Sequence, residues 1–250
     1  MPEQTVVFIS GVSSGIGKAL AEHYLSKPNH IVIGSVRNSS SPSVAELKAT
    51  NPASGSKLLL VHIENTAPED PRKAATDIEA AGIEHIDIVF ANAGGSPPVV
   101  DLLNVSSEDM VTSFQTNALS TLLLFQALRP LLQKSKNPKW ASISSIGGSI
   151  GTMGTLDTWI TPAYGASKAA LNWLIRAIHC SQPWLITLAF HPGVVQTGPG
   201  NWIARQIGME QAPTTISDSV LSLTTKLEEA TRDNYSGKFI NVIEGNEIPW

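Results

Sequence analysis

Tyr164 and Lys168, in the run Tyr-Gly-Ala-Ser-Lys, are spaced to move a proton between a substrate and the protein. On a helix, positions i and i+4 lie on one side, so a phenol and an amine at that interval converge on one small volume. Leu171, Leu174, Ile175 and Ile178 continue that side as an apolar stripe, which seats the helix on a core and leaves the pair at its polar end. A free phenol titrates near pH ~10. A neighbouring ammonium stabilises the phenolate, so the expectation is that Lys168 lowers the Tyr164 pKa toward the range of acid–base catalysis. Spacing of this kind also arises by chance, and its weight depends on what surrounds it.

The elements that must position the pair alternate along the chain. Short β-branched runs at 5–9, 30–36, 57–63, 86–91, 140–144, 184–190 and 238–243 read as seven strands. Helical patterns lie near 16–26, 43–50, 68–81, 107–134, 163–180 and 216–231. This alternation calls for βαβ units and a doubly wound seven-stranded parallel sheet with helices on both faces, an α/β fold in one domain spanning 1–250. The long helix opens at Ser106 with Asp109 three residues on, a capping box. It is expected to turn Met110, Phe114, Leu122, Leu128 and Leu132 inward.

Directly after the first strand comes Ser10-Gly11-Val12-Ser13-Ser14-Gly15-Ile16-Gly17, and then a helix. Three glycines in a strand-to-helix turn let the backbone approach a pyrophosphate closely and aim free N–H groups at its charge. Gly11, Ser13, Ser14, Gly15, Ile16 and Gly17 are therefore the candidate dinucleotide cradle. An acidic residue about 20 positions on would bind the ribose hydroxyl of NAD. This chain has Ser35-Val36-Arg37 there, with no carboxylate to repel a 2′-phosphate and a guanidinium to pair with it, which favours NADP(H).

Composition narrows the partners. The 250 residues are 42% hydrophobic and 15% charged, enough apolar material for one sizeable core. A net charge of -4 and the lack of any basic run argue against nucleic acid. A single cysteine, Cys180, rules out an internal disulfide and a cysteine metal cluster, and no metal site is expected. The Thr-Val-Val-Phe-Ile run near the start lacks a signal peptide's charged and longer apolar regions, and no stretch approaches the ~18 apolar residues of a membrane span. A cytoplasmic protein acting on a small molecule is the expectation.

The GxxxGxG turn, Asn92-Ala93-Gly94, Asn117 on the long helix, Ser145 after the fifth strand, Tyr164 and Lys168, and Pro192-Gly193-Val194-Val195-Gln196-Thr197 together resemble the short-chain dehydrogenase/reductase family, in the family's order over essentially the whole chain. The resemblance implies a Rossmann fold with the active site at the carboxyl ends of the strands. It makes Tyr164 the general acid toward a carbonyl oxygen, Lys168 its tuning partner and ribose anchor, and Ser145 the hydroxyl that orients substrate, with Ser144 competing for that role. Asn117 would bend the long helix and anchor a proton-relay water, or else bond backbone as an ordinary helix-interior amide. Asn92, Ala93 and Gly94 would line the adenosine and ribose, while Pro192, Gly193, Val195 and Thr197 would hold the nicotinamide side. The family usually has Asp-Val at the end of the third strand, whereas this chain has His62-Ile63. His62 is left either as an adenine contact or as a core or surface histidine.

An insertion bearing Gly147, Gly148, Gly151, Gly154 and Trp159 separates Ser145 from Tyr164. In the family, the region following Thr197 covers the substrate, so 198–215 is expected to be a lid. Trp159, Trp202 and Met209 offer flat, adaptable surface to an aromatic or polycyclic ketone. The ending Gly237-Lys238-Phe239-Ile240 and Gly245 to Trp250 resembles the subgroup of norsolorinic-acid-type ketoreductases and C-factor-like carbonyl reductases, implying a polyketide-type or other bulky carbonyl in secondary metabolism. The resemblance further implies a homodimer or homotetramer joined through the long helix and the Tyr-Lys helix. Three functions stay open: an NADPH-dependent ketoreductase, the same site run as an alcohol dehydrogenase, and a non-catalytic dinucleotide sensor.

Overall fold

The computed structural model describes residues 4–97 and 99–250. Alternation along each strand decides the layering: Val6 and Phe8 of strand β1 (Thr5–Ile9) face one core, while Val7 and Ile9 face another. A strand apolar on both sides must be covered on both sides, and helices supply the cover. Strands β2 (His30–Val36), β3 (Lys57–His62), β4 (Ile88–Ala91), β5 (Lys139–Ile143), β6 (Ile186–His191) and β7 (Lys238–Asn241) complete one sheet. Every pairing is parallel, in the order β3-β2-β1-β4-β5-β6-β7.

Helices α1 (Gly15–Leu25) and α2 (Pro42–Lys48) cover one face with Leu20, Tyr24, Val44 and Leu47. On the other face lie α3 (Asp70–Ala80) with Ala74 and Ile78, and later helices with Leu124, Leu128, Leu171 and Ile175. Trp140 of β5 is fully buried there, edge-on to Phe125 at 5.4 Å, with its indole N–H donating to Ser142 Oγ at 2.9 Å. Strand order reverses between β1 and β4, and the crevice at their carboxyl ends is where such sheets bind ligands.

The long helix is not continuous. It consists of α4 (Ser107–Phe114), a π-helical turn (Gln115–Leu119) and α5 (Ser120–Leu132). Its capping box is present: Ser106 Oγ accepts the Asp109 N–H at 3.0 Å. The expected inward stripe is corrected, because Met110 and Phe114 are 36% and 47% exposed whereas Leu128 and Leu132 are buried. A π-turn adds a residue to the helical repeat and rotates the face. The polar Ser113 and Asn117 turn inward on the first half instead. The insertion forms a 3₁₀ turn (Ile146–Gly148), a short helix α6 (Met153–Leu156) and a second 3₁₀ turn (Thr158–Ile160). It leads into α7 (Pro162–Ser181), which has proline at its first position. Helix α8 (Gly198–Gln206) follows β6, and α9 (Ile216–Glu229) precedes β7. None of the described helices is long and apolar enough to cross a membrane.

Candidate active site

The glycine turn emerges from β1 at the switch point. Gly11 and Gly15 have φ of +74° and +56°, conformations that favour glycine. A Cβ on Gly17 would lie 2.1 Å from Gly11 O and 2.5 Å from Asn92 Nδ2, so only glycine lets α1 start this close to the turn. Ser14 stands at the N-cap without a side-chain cap bond, and the first turn of α1 contains no acidic residue. The helix therefore presents its N–H groups to an anion, the arrangement a pyrophosphate needs. Ser13 and Ile16 lie in the same turn, between the glycines.

Neighbouring strand ends shape this cradle. The Asn92 amide donates to Ser10 O at 2.9 Å, and Ser10 Oγ accepts the N–H groups of Asn92 and Ala93 at 2.9 Å each. Asn92 is thus turned toward the glycine turn and braces it. Ile63 and Ala93 share a small cavity with Ser10, Asn65, Ser120, Thr121 and Leu124. His62 is not at that cavity. It is exposed, with Nε2 3.3 Å from Asp70 Oδ2, so it is not a core histidine. Arg37 follows β2 directly and is exposed, with no hydrogen bond or ion pair to another described residue. From the other side, Thr197 Cγ2 comes within 3.2 Å of where a Cβ on Gly15 would be. The Pro192-to-Thr197 segment is held by Ser219 Oγ on Pro192 O at 2.8 Å and by pairing of Val195 with Thr214. Gly193 has φ +87°.

Beside the cradle, β5 and α7 bring the reactive types together. Ser145 and Tyr164 flank one glycine: a Cβ on Gly147 would lie 3.4 Å from Ser145 Oγ and 3.7 Å from Tyr164 Cε1. Ser145 Oγ accepts the Gly147 N–H at 3.1 Å, leaving its own proton to donate. Ser144 does not compete: it is buried and donates to Asn172 Oδ1 at 2.5 Å. Lys168 is 5% exposed, donates to Ile143 O at 2.8 Å and lies 5.7 Å from the Tyr164 ring centre. Burial lowers its pKa to about 8.

For Tyr164 the expected downward shift is corrected. Burial pushes the phenol up, and only Ser145 pulls the other way. The desolvation of a neutral-to-anionic group outweighs that pull here. Asn117 donates to Gly95 O at 2.8 Å and to Ser167 Oγ at 2.9 Å, and accepts from Gly95 N at 2.9 Å. Its side chain therefore ties the post-β4 loop to α7. Its main-chain carbonyl takes a bond from Thr121 Oγ1 at 3.2 Å. A Cβ on Gly94 would lie 2.8 Å from Asn117 Oδ1 and 3.5 Å from Lys168 Nζ, so Gly94, Asn117 and Lys168 meet at one point.

Comparison with known proteins decides what this arrangement belongs to. The family model for short chain dehydrogenase matches residues 5–206. The chain belongs to the short-chain dehydrogenase family. The enzyme is 55% identical over 251 residues to the short-chain dehydrogenase srdF of Neurospora crassa, covering 99% of this chain and 98% of that one. It is 34% identical to the norsolorinic acid ketoreductase of Aspergillus parasiticus, over 100% and 92% of the two chains. Among solved structures it resembles an NADPH-bound carbonyl reductase from chicken fatty liver, with a TM-score of 0.85 at 27% identity and coverage of 99% and 100%. The enzyme is thus an oxidoreductase whose relatives and structural neighbours include carbonyl reductases.

A small cleft reaches Tyr164 between the post-β4 loop and the start of α7. Ser96, Pro97, Val99, Val100 and Val105 wall it opposite Thr161 to Ala163. Trp159, Trp202 and Met209 are not among its lining. Trp159 is 55% exposed with its indole on Asp157 at 3.2 Å, Trp202 is half-buried in α8, and Met209 is exposed beyond it. The valine wall is the feature that sequence reasoning missed, since its loop has no periodicity to mark it. His191 was also missed, although it directly precedes the Pro192-Gly193 motif. It is buried, its Nδ1 accepts the Ile146 N–H at 3.3 Å, and burial lowers its pKa to about 4, keeping it neutral in that role.

Proposed function

We propose that the enzyme reduces a ketone with NADPH, with Tyr164 as the general acid. The observation that carries this reading is the convergence of Ser145, Tyr164 and the buried Lys168, 5.7 Å from the phenol ring, beside a glycine turn shaped for a pyrophosphate. The Tyr164 phenol, which burial pushes up, carries a proton to give, and the Ser145 hydroxyl has its own proton to donate beside it. In reduction Tyr164 would give its proton to the carbonyl oxygen, and in the reverse reaction the same group would take it back. Lys168, still mostly an ammonium at pH 7 with a pKa of about 8, supplies positive charge behind the pair.

The cradle fits a dinucleotide. The Gly11-to-Gly17 turn would take its pyrophosphate, Ile63 and Ala93 its adenosine side, Gly94 and Lys168 its ribose, and Val195 and Thr197 its carboxamide. Bound there, the cofactor supplies hydride. Arg37, exposed and unpaired among the described residues, is available to a 2′-phosphate, which supports NADP over NAD. Similarity to a norsolorinic acid ketoreductase supports an aromatic, polyketide-type ketone, and the apolar valine wall suits such a substrate. Trp202 and Met209, on and after α8, would complete the cover as a lid, with Trp159 at its margin. Exposed Val111 and Phe114 on α4, and Trp173 on α7 at 70%, support association of copies through these packed helices.

Tyr164→Phe tests the acid. Turnover of a ketone panel with NADPH should fall by about 10²- to 10⁴-fold, while NADPH binding measured by fluorescence titration is unchanged. Retained turnover refutes the assignment. In Arg37→Ala the KM for NADPH should rise about tenfold with that for NADH unmoved, the worth of a charged hydrogen bond. Equal changes in both would overturn the NADP preference.

A further inference from the structure

The turn that carries Ser145 packs its glycine backbone against α7, where a Cβ on Gly148 would lie 2.6 Å from Lys168, but few side chains of its own fix it. Gly147, Gly148 and Gly151 lack side chains, and Ile150 is exposed. Hydrogen bonds from neighbouring elements add to this: His191 takes the Ile146 N–H, and Asn172 Nδ2 donates to Gly148 O at 3.2 Å. A third hold comes from residues 248–250. Ser149 is fully buried and its hydroxyl donates to Pro249 O at 2.5 Å while accepting the Thr152 N–H at 3.2 Å. The Gly151 N–H donates to the Trp250 backbone oxygen at 3.0 Å. A Cβ on Gly151 would lie 2.7 Å from Pro249 Cβ, so the approach depends on glycine.

The clamping segment is itself anchored. Glu247 bridges Ile240 of β7, the Ile248 N–H donates to Phe239 O at 2.7 Å, and the Ile248 side chain is buried. The Trp250 ring stacks on Phe239 with centres 5.7 Å apart and planes at 25°. The hold is transmitted in both directions. Toward the site, Ser149 N donates to Ile146 O at 3.0 Å and Gly148 N to Ser145 O at 2.9 Å, so the 3₁₀ turn moves as a unit with Ser145. Toward the insertion, Ser149 fixes Thr152, whose carbonyl accepts the Leu156 N–H at 3.1 Å and starts α6.

We infer that residues 248–250 are a positioning clamp: by fixing the corner at 149–151 they set both the aim of Ser145 at Tyr164 and the course of the insertion beside the substrate cleft. The functional half of this inference rests on the roles proposed above for Ser145 and Tyr164. Its tests are Trp250→Ala and Ser149→Ala in the full chain, with Trp250→Phe as the conservative control that keeps a ring on Phe239.

In hydrogen–deuterium exchange, amides of 146–156 should exchange about tenfold faster in both alanine variants, with α1 unchanged and Trp250→Phe restored to wild type. In steady-state kinetics with NADPH, the KM for bulky ketones should rise about fivefold relative to small ones, with cofactor binding unmoved. Exchange in 146–156 that matches wild type, or that quickens uniformly over the whole sheet, overturns the clamp. So does an unchanged bulky-to-small selectivity in a variant whose exchange has quickened. If the wild type reduces no ketone, it is the proposed function that fails, and the exchange measurement still decides the clamp.

Discussion

Replacing Lys168 by methionine should make the ligand-free enzyme more stable while abolishing most of its activity. Lys168 is 5% exposed, and burial brings its pKa from 10.5 to about 8. At pH 7 both native and unfolded chains carry the ammonium, and the native state bears the full cost of keeping it dry, about 3 kcal/mol for a shift of this size. Between pH 8 and 10.5 the native state has released a proton that the unfolded chain still holds. Raising the pH therefore favours folding, and about 2 kcal/mol of the cost is relieved by pH 10. Methionine fills nearly the same volume without the charge, but leaves Ile143 O without its 2.8 Å donor, which costs about 1–3 kcal/mol. The balance at pH 7 is a variant about 0–2 kcal/mol more stable, a rise in Tm of a few degrees for a chain of this length. Tyr164, whose raised pKa costs stability only above pH 10, is silent in this window.

The assay is urea unfolding of the ligand-free wild type and variant at pH 7, 8, 9 and 10. The variant's advantage should shrink by about 2 kcal/mol between pH 8 and 10, and ketone turnover should fall by about 100-fold or more. A variant less stable than wild type at pH 7, or an advantage independent of pH, would refute the claim that a buried ammonium is carried at the expense of stability. Such a trade is what a catalytic group in a dry site entails.

Two further outcomes separate neighbouring residues by their partners. Ser145→Ala should lower kcat about 100-fold, as loss of an oxyanion-type donor does. Ser144→Ala should instead leave buried Asn172 Oδ1 unsatisfied and cost about 1–3 kcal/mol in thermal or urea unfolding with kcat nearly kept; the reverse pattern would exchange their roles. Gly17→Ala drives a Cβ onto Gly11 O and should weaken NADPH binding about tenfold or more, read by fluorescence titration. An unaltered Kd there would show that the cofactor does not use this turn.

The sheet was legible because its evidence is local. β-branched runs punctuated by glycine and helical stripes name seven strands without reference to anything distant, and the observed ends differ by only a few residues. The long helix was misread at the one place where a local rule fails. A 3.6 repeat carried through 107–134 puts Met110 and Phe114 inside, but the π-turn at Gln115–Leu119 breaks the phase, and its cause is tertiary: Asn117 must reach Gly95 and Ser167.

The same division runs through the site. Spacing could place Tyr164 and Lys168 on one side of a helix, yet the choice between Ser144 and Ser145 waits on Asn172, 28 residues away. His62 could have been a core histidine until the fold exposed it beside Asp70. Most telling is the Tyr164 pKa, which the sequence argument drew downward from Lys168 and which burial pushes upward. Spacing reports which charge is near, but not how much water is excluded. At this position burial outweighs what can be inferred from a motif. The glycine-rich turn after β5 likewise shows its place only in the fold, where α7, His191, Asn172 and residues 248–250 close on it.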